Sequence, residues 1–324
     1  MIIVTGGNGF IGTHLIERLT SRGHQVLAVN GEHGTKNCPA KWSIDKKDFL
    51  GPLCCYTQEK FFKELAEKGV KAEYSVEAII HLGACSDTTC DNWDYLSVNN
   101  YEYSTLIFDF CRWSHIPFIC ASSAAVYGAI KNRESSDETI PSNRLFPLNK
   151  YGWSKLLVDH YMTTSFKTKW SADFRWYSLR FFNVFGYHEE HKGRMSSMPW
   201  KFMKQGLSKK PILVFSEEVF RDFVYVEDVV DAIWYLIFNP VVTSGIYNVG
   251  SGKATNVFEV ADEVAKITEG KVNQMLFPPD LVGKYQYYTQ ANMSKLRTQG
   301  FIKEPTPLKE ALDQMAKRFK ESST

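Results

Sequence analysis

The sequence has little net charge and lacks long apolar runs. Its 38 Lys and Arg residues are nearly balanced by 36 Asp and Glu residues, which leaves a net charge of +2. This balance argues against a binding surface for nucleic acid or for an anionic membrane. No apolar stretch has the length of a signal sequence or a membrane span, and no basic segment precedes the first apolar run. We therefore expect a cytoplasmic protein with neither a nucleic-acid nor a membrane partner.

Cysteine pairs with metal-binding spacing are also missing. The seven cysteines include no CxxC pair, and Cys54 and Cys55 are neighbours that cannot easily face one metal ion. The odd number and scattered spacing favour reduced thiols over a disulfide framework or a zinc site, so we expect no metal. Neither an internal repeat nor a low-complexity linker is visible. A chain of 324 residues then predicts one large domain or two intimate domains.

The first half of the chain alternates short apolar runs with helical patterns. Near-continuous apolar strands separated by helices indicate a parallel sheet that is covered on both faces, and right-handed crossovers make it a Rossmann-type, doubly wound α/β fold. Residues 31–57 have weaker periodicity and are predicted to hold little regular structure. Strands are predicted at 2–4, 26–29, 78–81, 117–121 and 176–182, and helices at 10–19, 95–113 and 151–161.

The second half is less regular. We predict a Rossmann domain over 1–182, to which the chain returns near 222–250, and a smaller, interleaved C-terminal domain over 183–324 that holds most of the substrate. Helices are predicted at 201–207, 228–238 and 257–267, and short strands at 212–215 and 246–249.

Three glycines separate the first predicted strand from the first predicted helix. Gly6, Gly9 and Gly12 stand in the segment TGGNGFIG at 5–12. Glycine permits a tight turn there and lets a pyrophosphate approach the backbone at the helix N-terminus. A glycine-rich turn without a ligand is the alternative explanation. The strand before the glycines and the helix after them favour a dinucleotide site.

The second predicted strand leads to Asn30, where dinucleotide-binding proteins usually carry an acidic residue for the adenosine ribose. Asn30 can still form hydrogen bonds, but it lacks the charge that would repel a 2′-phosphate. Lys36 and Lys46 follow in the loop and can supply positive charge, although for either lysine alone solvated surface is the commoner explanation. The three residues together predict NADP as the cofactor, with NAD as the alternative.

Tyr151 and Lys155 are four residues apart and share one face of a predicted helix. An ammonium in that position favours the phenolate, so the tyrosine can exchange a proton with a substrate hydroxyl. Ser123 precedes them at the C-terminal end of a predicted strand, the edge at which open parallel sheets bind ligands, and can hydrogen-bond the reacting hydroxyl. A YxxxK match is frequent by chance. Its position after a glycine loop and a serine makes the combination specific.

This combination resembles the extended short-chain dehydrogenase/reductase family, whose members act mainly on nucleotide sugars. The shared segments span nearly the whole chain: TGGNGFIG, HLGA at 81–84, SAAVYG at 123–128, YGWSK at 151–155, RFFNVFG at 180–186 and RDFVYVED at 221–228. The resemblance implies a homo-oligomeric enzyme with a nicotinamide cofactor. The cofactor contacts that we expect are Gly6, Gly9, Phe10, Ile11, Gly12, Asn30, Lys36, Lys46, Leu82, Gly83, Ala84, Asn99, Lys155 and Val184.

A narrower resemblance is to the ADP-heptose 6-epimerases within that family, through GACSDTT at 83–89, NNYEYS at 99–104, HKG at 191–193 and GKYQ at 283–286. It implies an isomerase that inverts C6 of ADP-D-glycero-D-manno-heptose, a precursor of the lipopolysaccharide core. Tyr151 and Lys192 would be the acid/base residues, while Ser123 and Lys155 would position the reacting hydroxyl and the nicotinamide ribose. The substrate contacts that we expect are Ser86, Ser123, Asn183, Arg194, Lys201, Phe215, Arg221 and Tyr285.

The sequence departs from that narrower group at several positions. Asn30 replaces an aspartate, Arg194 and Lys201 stand where a serine and a histidine are usual, and the stretch 215–221 is two residues short. These differences bear on the sugar and its orientation in the site.

Two other functions are compatible with the same fold. A different nucleotide-sugar enzyme, such as a 4-epimerase or a dehydratase, is the first. Dehydratases of this type usually carry Asp-Glu directly after the active-site serine or threonine, where this chain has Ala124 and Ala125. A dinucleotide-binding protein without catalysis is the second, and the intact set of Ser123, Tyr151 and Lys155 argues against it.

Overall fold

The computed structural model describes residues 1–31, 53–57, 61, 63, 75–130, 134–166, 173–283 and 285–321. The strands in these ranges are β1 Ile2–Thr5, β2 Val26–Asn30, β3 Leu53–Thr57, β4 Ala78–His81, β5 Phe118–Ser123, β6 Trp176–Phe181, β7 Asn183–Phe185, β8 Ile212–Phe215, β9 Phe220–Tyr225, β10 Gly245–Val249, β11 Ala254–Asn256 and β12 Val272–Met275. The α-helices are α1 Phe10–Ser21, α2 Trp93–Leu96, α3 Tyr103–Trp113, α4 Lys150–Ser165, α5 Met198–Leu207, α6 Val226–Phe238, α7 Val257–Thr268, α8 Ser294–Thr298 and α9 Leu308–Glu321.

A seven-stranded sheet forms the centre of the molecule, in the order β10-β6-β5-β4-β1-β2-β3. All of its neighbouring strands are parallel. In β1, Ile2 and Val4 pack into one apolar cluster with α1 and α6, while Ile3 packs into another with α3 and α4. Helices therefore cover both faces of the sheet, which confirms the predicted doubly wound α/β fold.

A second apolar core lies in the C-terminal part of the chain, where α5, α7 and α9 pack together with β8 and β9. Two small sheets belong to this part, β11-β9-β7 and β12-β8. The strand β10 lies between these elements in the sequence, after β9 and before β11, but joins the edge of the large sheet beside β6. The chain thus returns to the first sheet at Gly245–Val249, and the assignment of 222–250 to the first domain remains a prediction. The domain boundary at residue 182 remains a prediction.

Two predicted segments differ from the structure. Residues 31–57 were expected to hold little regular structure, yet residues 53–57 form β3, which pairs with β2 along its whole length. A five-residue edge strand depends on hydrogen bonds to its neighbour, and periodicity within the segment does not report them. The helix expected at 95–113 begins at Trp93 and is interrupted by a π-helix, Ser97–Glu102. The other predicted elements lie within a few residues of their expected bounds.

Two kinds of structure are missing from the described residues. Among the helices there, none combines the length and the apolar character that crossing a membrane requires. Within the same residues, no three His, Cys, Asp or Glu side chains are grouped as metal ligands would be.

Candidate functional site

One cleft of about 1080 Å³ opens at the edge of the large sheet where β1, β4, β5 and β6 end. This is the edge at which open parallel sheets bind ligands. The residues predicted from the sequence that line the cleft are Gly6, Gly9, Phe10, Ile11, Gly12, Leu82, Gly83, Ala84, Ser86, Ser123, Tyr151, Lys155, Asn183, Val184, Lys192, Arg194, Lys201, Phe215, Arg221 and Tyr285. Two predicted residues, Asn30 and Asn99, are not among the lining residues, and Lys36 and Lys46 lie outside the described residues.

The glycine loop follows β1 and leads into α1. Gly6 has a φ of +68°, which favours glycine, and its carbonyl oxygen accepts a 2.9 Å hydrogen bond from the Gly9 N–H. A Cβ atom at Gly12 would lie 2.2 Å from the Gly6 oxygen, so the close approach requires glycine there. No side chain caps the start of α1 at Gly9. The backbone amides of its first turn, beside the cleft, therefore suit a dinucleotide pyrophosphate.

Asn30 ends β2 next to this loop. Its Oδ1 accepts a 2.8 Å hydrogen bond from the Asn8 N–H, and the residue is only 4% exposed. Its Nδ2 is buried and has no hydrogen-bond partner within the part of the chain that is described. A buried donor of this kind suits an oxygen of a bound ligand. The site therefore fits a dinucleotide on both observations, the glycine cradle and this amide.

Tyr151 and Lys155 lie on α4, which begins one residue before Tyr151. The Asn149 side chain caps the helix by accepting a 2.8 Å hydrogen bond from the Gly152 N–H. The Lys155 ammonium donates a 2.9 Å hydrogen bond to the Ala121 oxygen of β5. Because Lys155 is 4% exposed and Tyr151 is 8% exposed, the sheet and helix hold both side chains against the cleft wall.

Ser123 ends β5 and lines the same cleft. Its Oγ accepts a 3.1 Å hydrogen bond from the Ala125 N–H and thereby caps the 3-10 helix Ala124–Tyr127. Since the Oγ is the acceptor in this bond, its own proton can be donated to a substrate oxygen in the cleft. The helix cap and the site residue are thus the same side chain.

A buried histidine joins the ends of the strands beneath the cleft. The Thr5 hydroxyl accepts from the Gly83 N–H at 3.1 Å and donates to His81 Nδ1 at 2.7 Å. His81 Nε2 donates to Ser104 Oγ at 3.0 Å, and Ser104 donates to the Asn100 oxygen at 2.5 Å. Burial, together with the charge of Lys155, lowers the pKa of His81 to about 3. His81 is therefore neutral, with a proton on Nε2.

Asn100 links these hydrogen-bonded residues to α4. Its Oδ1 accepts from the Cys85 N–H at 2.8 Å, and its Nδ2 donates to the Cys85 oxygen and, at 2.9 Å, to Ser154 Oγ on α4. The predicted residue Asn99 instead donates to the Tyr95 oxygen at 2.8 Å, away from the cleft lining. The π-helix is the reason, since its wider turn changes which asparagine faces the loop after β4. The asparagine pair was the only sequence signal, and it did not distinguish the two.

The loop after β7 carries Lys192. Its ammonium lies 2.7 Å from Glu189 Oε2 and 4.7 Å from the centre of the Phe10 ring, at the start of α1. Glu189 is completely buried and was not identified from the sequence. A carboxylate two residues before a histidine and lysine in a loop resembles solvated surface when only the sequence is read.

Arg194 and Lys201, the two residues that depart from the narrower group, form hydrogen bonds that hold the same loop in place. The Lys201 ammonium donates a 2.7 Å hydrogen bond to the Arg194 oxygen, and the Arg194 guanidinium donates to Thr89 Oγ1 at 2.5 Å, from the loop that follows β4. Burial lowers the pKa of Lys201, and the charges of Lys192 and Arg194 add to this against the opposing effect of Glu189. The loops after β4 and β7 therefore touch, and both line the cleft.

Part of the cleft lining is aromatic. The Arg221 guanidinium carbon lies 4.5 Å from the centre of the Tyr285 ring, and the Phe215 and Tyr285 rings lie in edge contact at 6.4 Å. Gln286 donates to the Ala124 and Gly128 oxygens, so the residue after Tyr285 is held beside the 3-10 helix Ala124–Tyr127. A cation and two rings in contact suit a diphosphate and a nucleotide base.

Comparison with known proteins identifies a family and a relative that aligns with nearly the whole chain. The model of the NAD dependent epimerase/dehydratase family matches residues 2–250. The ADP-L-glycero-D-manno-heptose-6-epimerase of Fusobacterium nucleatum subsp. nucleatum is 36% identical over an alignment that covers 98% of both chains.

Solved structures share the fold. The ADP-L-glycero-D-manno-heptose-6-epimerase of Helicobacter pylori is 24% identical, with a TM-score of 0.76 and coverage of 98% of this chain and 96% of that one. The UDP-glucose 4-epimerase of Thermus thermophilus, solved in complex with NAD, is 23% identical, with a TM-score of 0.77 and coverage of 98% of both chains. At these identities the likeness concerns the fold alone.

Proposed function

Because the chain belongs to the NAD dependent epimerase/dehydratase family and aligns end to end with an epimerase, we propose that this isomerase inverts C6 of ADP-D-glycero-D-manno-heptose with bound NADP. The observation that carries the proposal is one cleft that holds two candidate acid/base groups on separate elements. Tyr151 lies on α4, and Lys192 lies in the loop after β7. The glycine loop lines the same cleft.

Two acid/base groups fit the geometry of inversion at an exocyclic carbon. C6 of a heptose lies outside the ring, so it can rotate about one bond while the nucleotide stays in place. Proton transfer needs hydrogen-bond reach, and one group cannot be well placed for both orientations. Tyr151 and Lys192 each serve one orientation in the proposed reaction. Ser123 hydrogen-bonds the reacting oxygen, and Lys155 holds the nicotinamide ribose in the proposed reaction.

The cofactor would be held by the glycine loop and the end of β2. Bound nicotinamide supplies a hydride acceptor and donor for the carbon that is inverted. Gly6, Gly9 and Gly12 leave room for the pyrophosphate, and Asn30 presents a neutral amide to the adenosine ribose. A neutral residue there tolerates the extra phosphate of NADP, which is the reason for preferring NADP to NAD.

Exposed apolar side chains support a homo-oligomer. Leu106 and Trp113 on α3 are 47% and 71% exposed, and Trp153 and Leu157 on α4 are 40% and 37% exposed. The two helices pack side by side, with Phe108 and Tyr161 in edge contact at 6.1 Å. Their exposed residues recur at helical spacing, as on a face that is covered by another copy. Light scattering of the purified protein measures its mass in solution. A cytoplasmic location is proposed as well, and cell fractionation tests it.

The direct test is turnover of a panel of ADP- and UDP-sugars in D₂O, followed by NMR of the products. We expect inversion at C6 of ADP-D-glycero-D-manno-heptose with no deuterium at C6, because the carbon-bound hydrogen does not exchange with water in an oxidation and re-reduction. Deuterium that enters C6 in step with inversion would contradict the mechanism. Turnover of a UDP-sugar at C4 instead would replace the proposed substrate.

A further inference from the structure

Glu189 is a charged side chain without contact to water, since its exposed fraction is 0%. Both of its carboxylate oxygens are fully engaged. Oε1 accepts from Ser197 Oγ at 2.6 Å and from the Gly186 N–H at 3.2 Å. Oε2 accepts from the Ser197 N–H at 2.7 Å and from the Lys192 ammonium at 2.7 Å. A buried carboxylate is stable only with donors of this number and kind, so its place in the fold is fixed.

These bonds close the loop that carries Lys192. Gly186 directly follows β7, and Ser197 caps α5 by accepting a hydrogen bond from the Trp200 N–H. The carboxylate thus ties both ends of the loop together. Within the loop, Gly193 has a φ of +50° and turns the chain beside Lys192.

Lys192 itself is confined on two sides. Its ammonium lies between the Glu189 carboxylate and the ring of Phe10, and its side chain is 19% exposed. Phe10 begins α1, so the contact also joins the Lys192 loop to the glycine loop. The neighbouring Lys201 does not share the carboxylate, because its ammonium donates to the Arg194 oxygen.

We propose that Glu189 is a positioning residue, which holds the Lys192 ammonium at the reach that proton transfer requires. A lysine side chain has many rotamers, and a general acid or base works only within hydrogen-bond distance of its partner. The buried carboxylate removes that freedom before substrate enters, which is pre-organisation of a catalytic group. The inference rests on the proposed function, in which Lys192 is one of the two acid/base groups.

The test compares two glutamate variants that differ by one position. Glu189→Gln removes the buried charge and keeps the size of the side chain. Glu190→Gln makes the same change at the exposed neighbour, which does not line the cleft. We expect Glu189→Gln to lower kcat by about 10–100-fold, with KM and the NADP dissociation constant within about twofold of wild type. We expect Glu190→Gln to keep wild-type values. A wild-type kcat in Glu189→Gln would overturn the proposal.

A double-mutant cycle separates positioning from a general structural role. In a Lys192→Met background, the carboxylate has no ammonium left to position. We therefore expect Lys192→Met and the double variant with Glu189→Gln to have the same single-turnover rate within about twofold. An equal loss from Glu189→Gln in both backgrounds would overturn the proposal, since Glu189 would then act through the fold and not through Lys192.

A second variant, Ser197→Ala, tests the proposal if Glu189→Gln does not fold. A second measurement, the chemical labelling of Lys192, tests it if the proposed function is wrong. Ser197→Ala removes the hydroxyl donor to Glu189, together with the side-chain cap of α5, and leaves the charge in place, so it should lower kcat less than Glu189→Gln does. If Glu189→Gln does not fold and Ser197→Ala has the kcat of the wild type, the proposal is overturned. If no sugar of the panel is converted by the wild type, the proposed function fails. Reductive methylation of Lys192, followed by mass spectrometry, then decides: faster labelling in Glu189→Gln than in Glu190→Gln supports positioning, and equal labelling overturns it.

Discussion

The guanidinium of Arg221 lies over the ring of Tyr285, with 4.5 Å between Cζ and the ring centre. Arg221 Nη1 is buried and has no hydrogen-bond partner among the residues described. A stacked, planar cation with a free donor suits a diphosphate, and lysine cannot reproduce either the stacking or the two parallel donors. We expect Arg221→Lys to raise KM for the nucleotide sugar by about 10–100-fold while kcat changes little. Steady-state kinetics over a range of substrate concentrations measure both.

The matched control for this substitution is Arg297→Lys, at a half-exposed arginine that pairs with Glu304 outside the main cleft. It should leave both constants at wild-type values. An Arg221→Lys enzyme with unchanged KM would mean that the diphosphate binds elsewhere.

The second prediction concerns the two candidate acid/base groups. We expect Tyr151→Phe and Lys192→Met each to lower kcat by about 10²–10⁴-fold, because each removes a proton-transfer group. Cofactor binding should persist, since neither change touches the glycine loop backbone. Activity assays together with a fluorescence titration of NADPH separate these two effects.

Lys204→Met is the control for the lysine, because Lys204 is exposed on α5 and its ammonium lies over the Trp200 ring, 5.0 Å from the ring centre. It should remain active. A near-normal rate in Lys192→Met would remove Lys192 from the mechanism and leave Tyr151 as a single base.

Most of the fold was predictable because parallel strands and amphipathic helices leave local patterns. The glycine loop and the Tyr151–Lys155 pair are also local, since each is set by spacing along one element. Glu189 was not predictable, because its role depends on Gly186, Ser197 and Lys192 being brought together by the folded loop.

The roles of Asn99 and Asn100 were also not predictable from the sequence, because they depend on the local helix geometry. They are neighbours in the sequence, but the π-helix turns Asn100 toward Cys85 and Ser154 while Asn99 bonds Tyr95. Periodicity of 3.6 residues assumes a regular α-helix, and a π-turn shifts the facing residues. The strand β3 was missed for a related reason, because its partner β2 lies elsewhere in the sequence.

The third prediction concerns the choice between NADP and NAD. Asn30→Asp keeps the acceptor for the Asn8 N–H and adds a negative charge at the end of β2. That charge repels a 2′-phosphate and can accept hydrogen bonds from the ribose hydroxyls of NAD. We expect NADP affinity to fall by about 10-fold or more and NAD affinity to rise or stay constant. Calorimetric titration of both cofactors measures the ratio.

Wild type should prefer NADP in the same titration, and Lys36→Ala should weaken that preference. Lys36 lies outside the described residues, so this part rests on the sequence alone. Tighter binding of NAD by the wild type, or equal NADP affinity in wild type and Asn30→Asp, would make the cofactor prediction wrong.

The last prediction concerns stability in acid and depends on His81. Its pKa is about 3 in the folded protein, against 6.5 for an ordinary histidine, because the ring is buried and Lys155 is near. Between these values the unfolded chain binds a proton that the folded chain does not, so stability falls as pH decreases from 6.5 toward 3. Each pH unit below 6.5 lowers the free energy of unfolding by about 1.4 kcal/mol, so the loss is about 2 kcal/mol at pH 5. The protonated ring could no longer accept the Thr5 hydroxyl, which also holds the Gly83 N–H beside the glycine loop.

Urea unfolding at pH 7 and pH 5 tests this relation in three proteins. Wild type and His160→Gln, changed at an exposed histidine, should lose the same free energy of unfolding between the two pH values. His81→Gln has no imidazole to titrate at this position, so it should lose about 2 kcal/mol less, although it starts from a lower stability at pH 7. The other histidines are common to wild type and His81→Gln and cancel in the comparison of these two proteins. If His81→Gln loses as much stability as the wild type, the neutral ring of His81 does not set the acid limit of the fold.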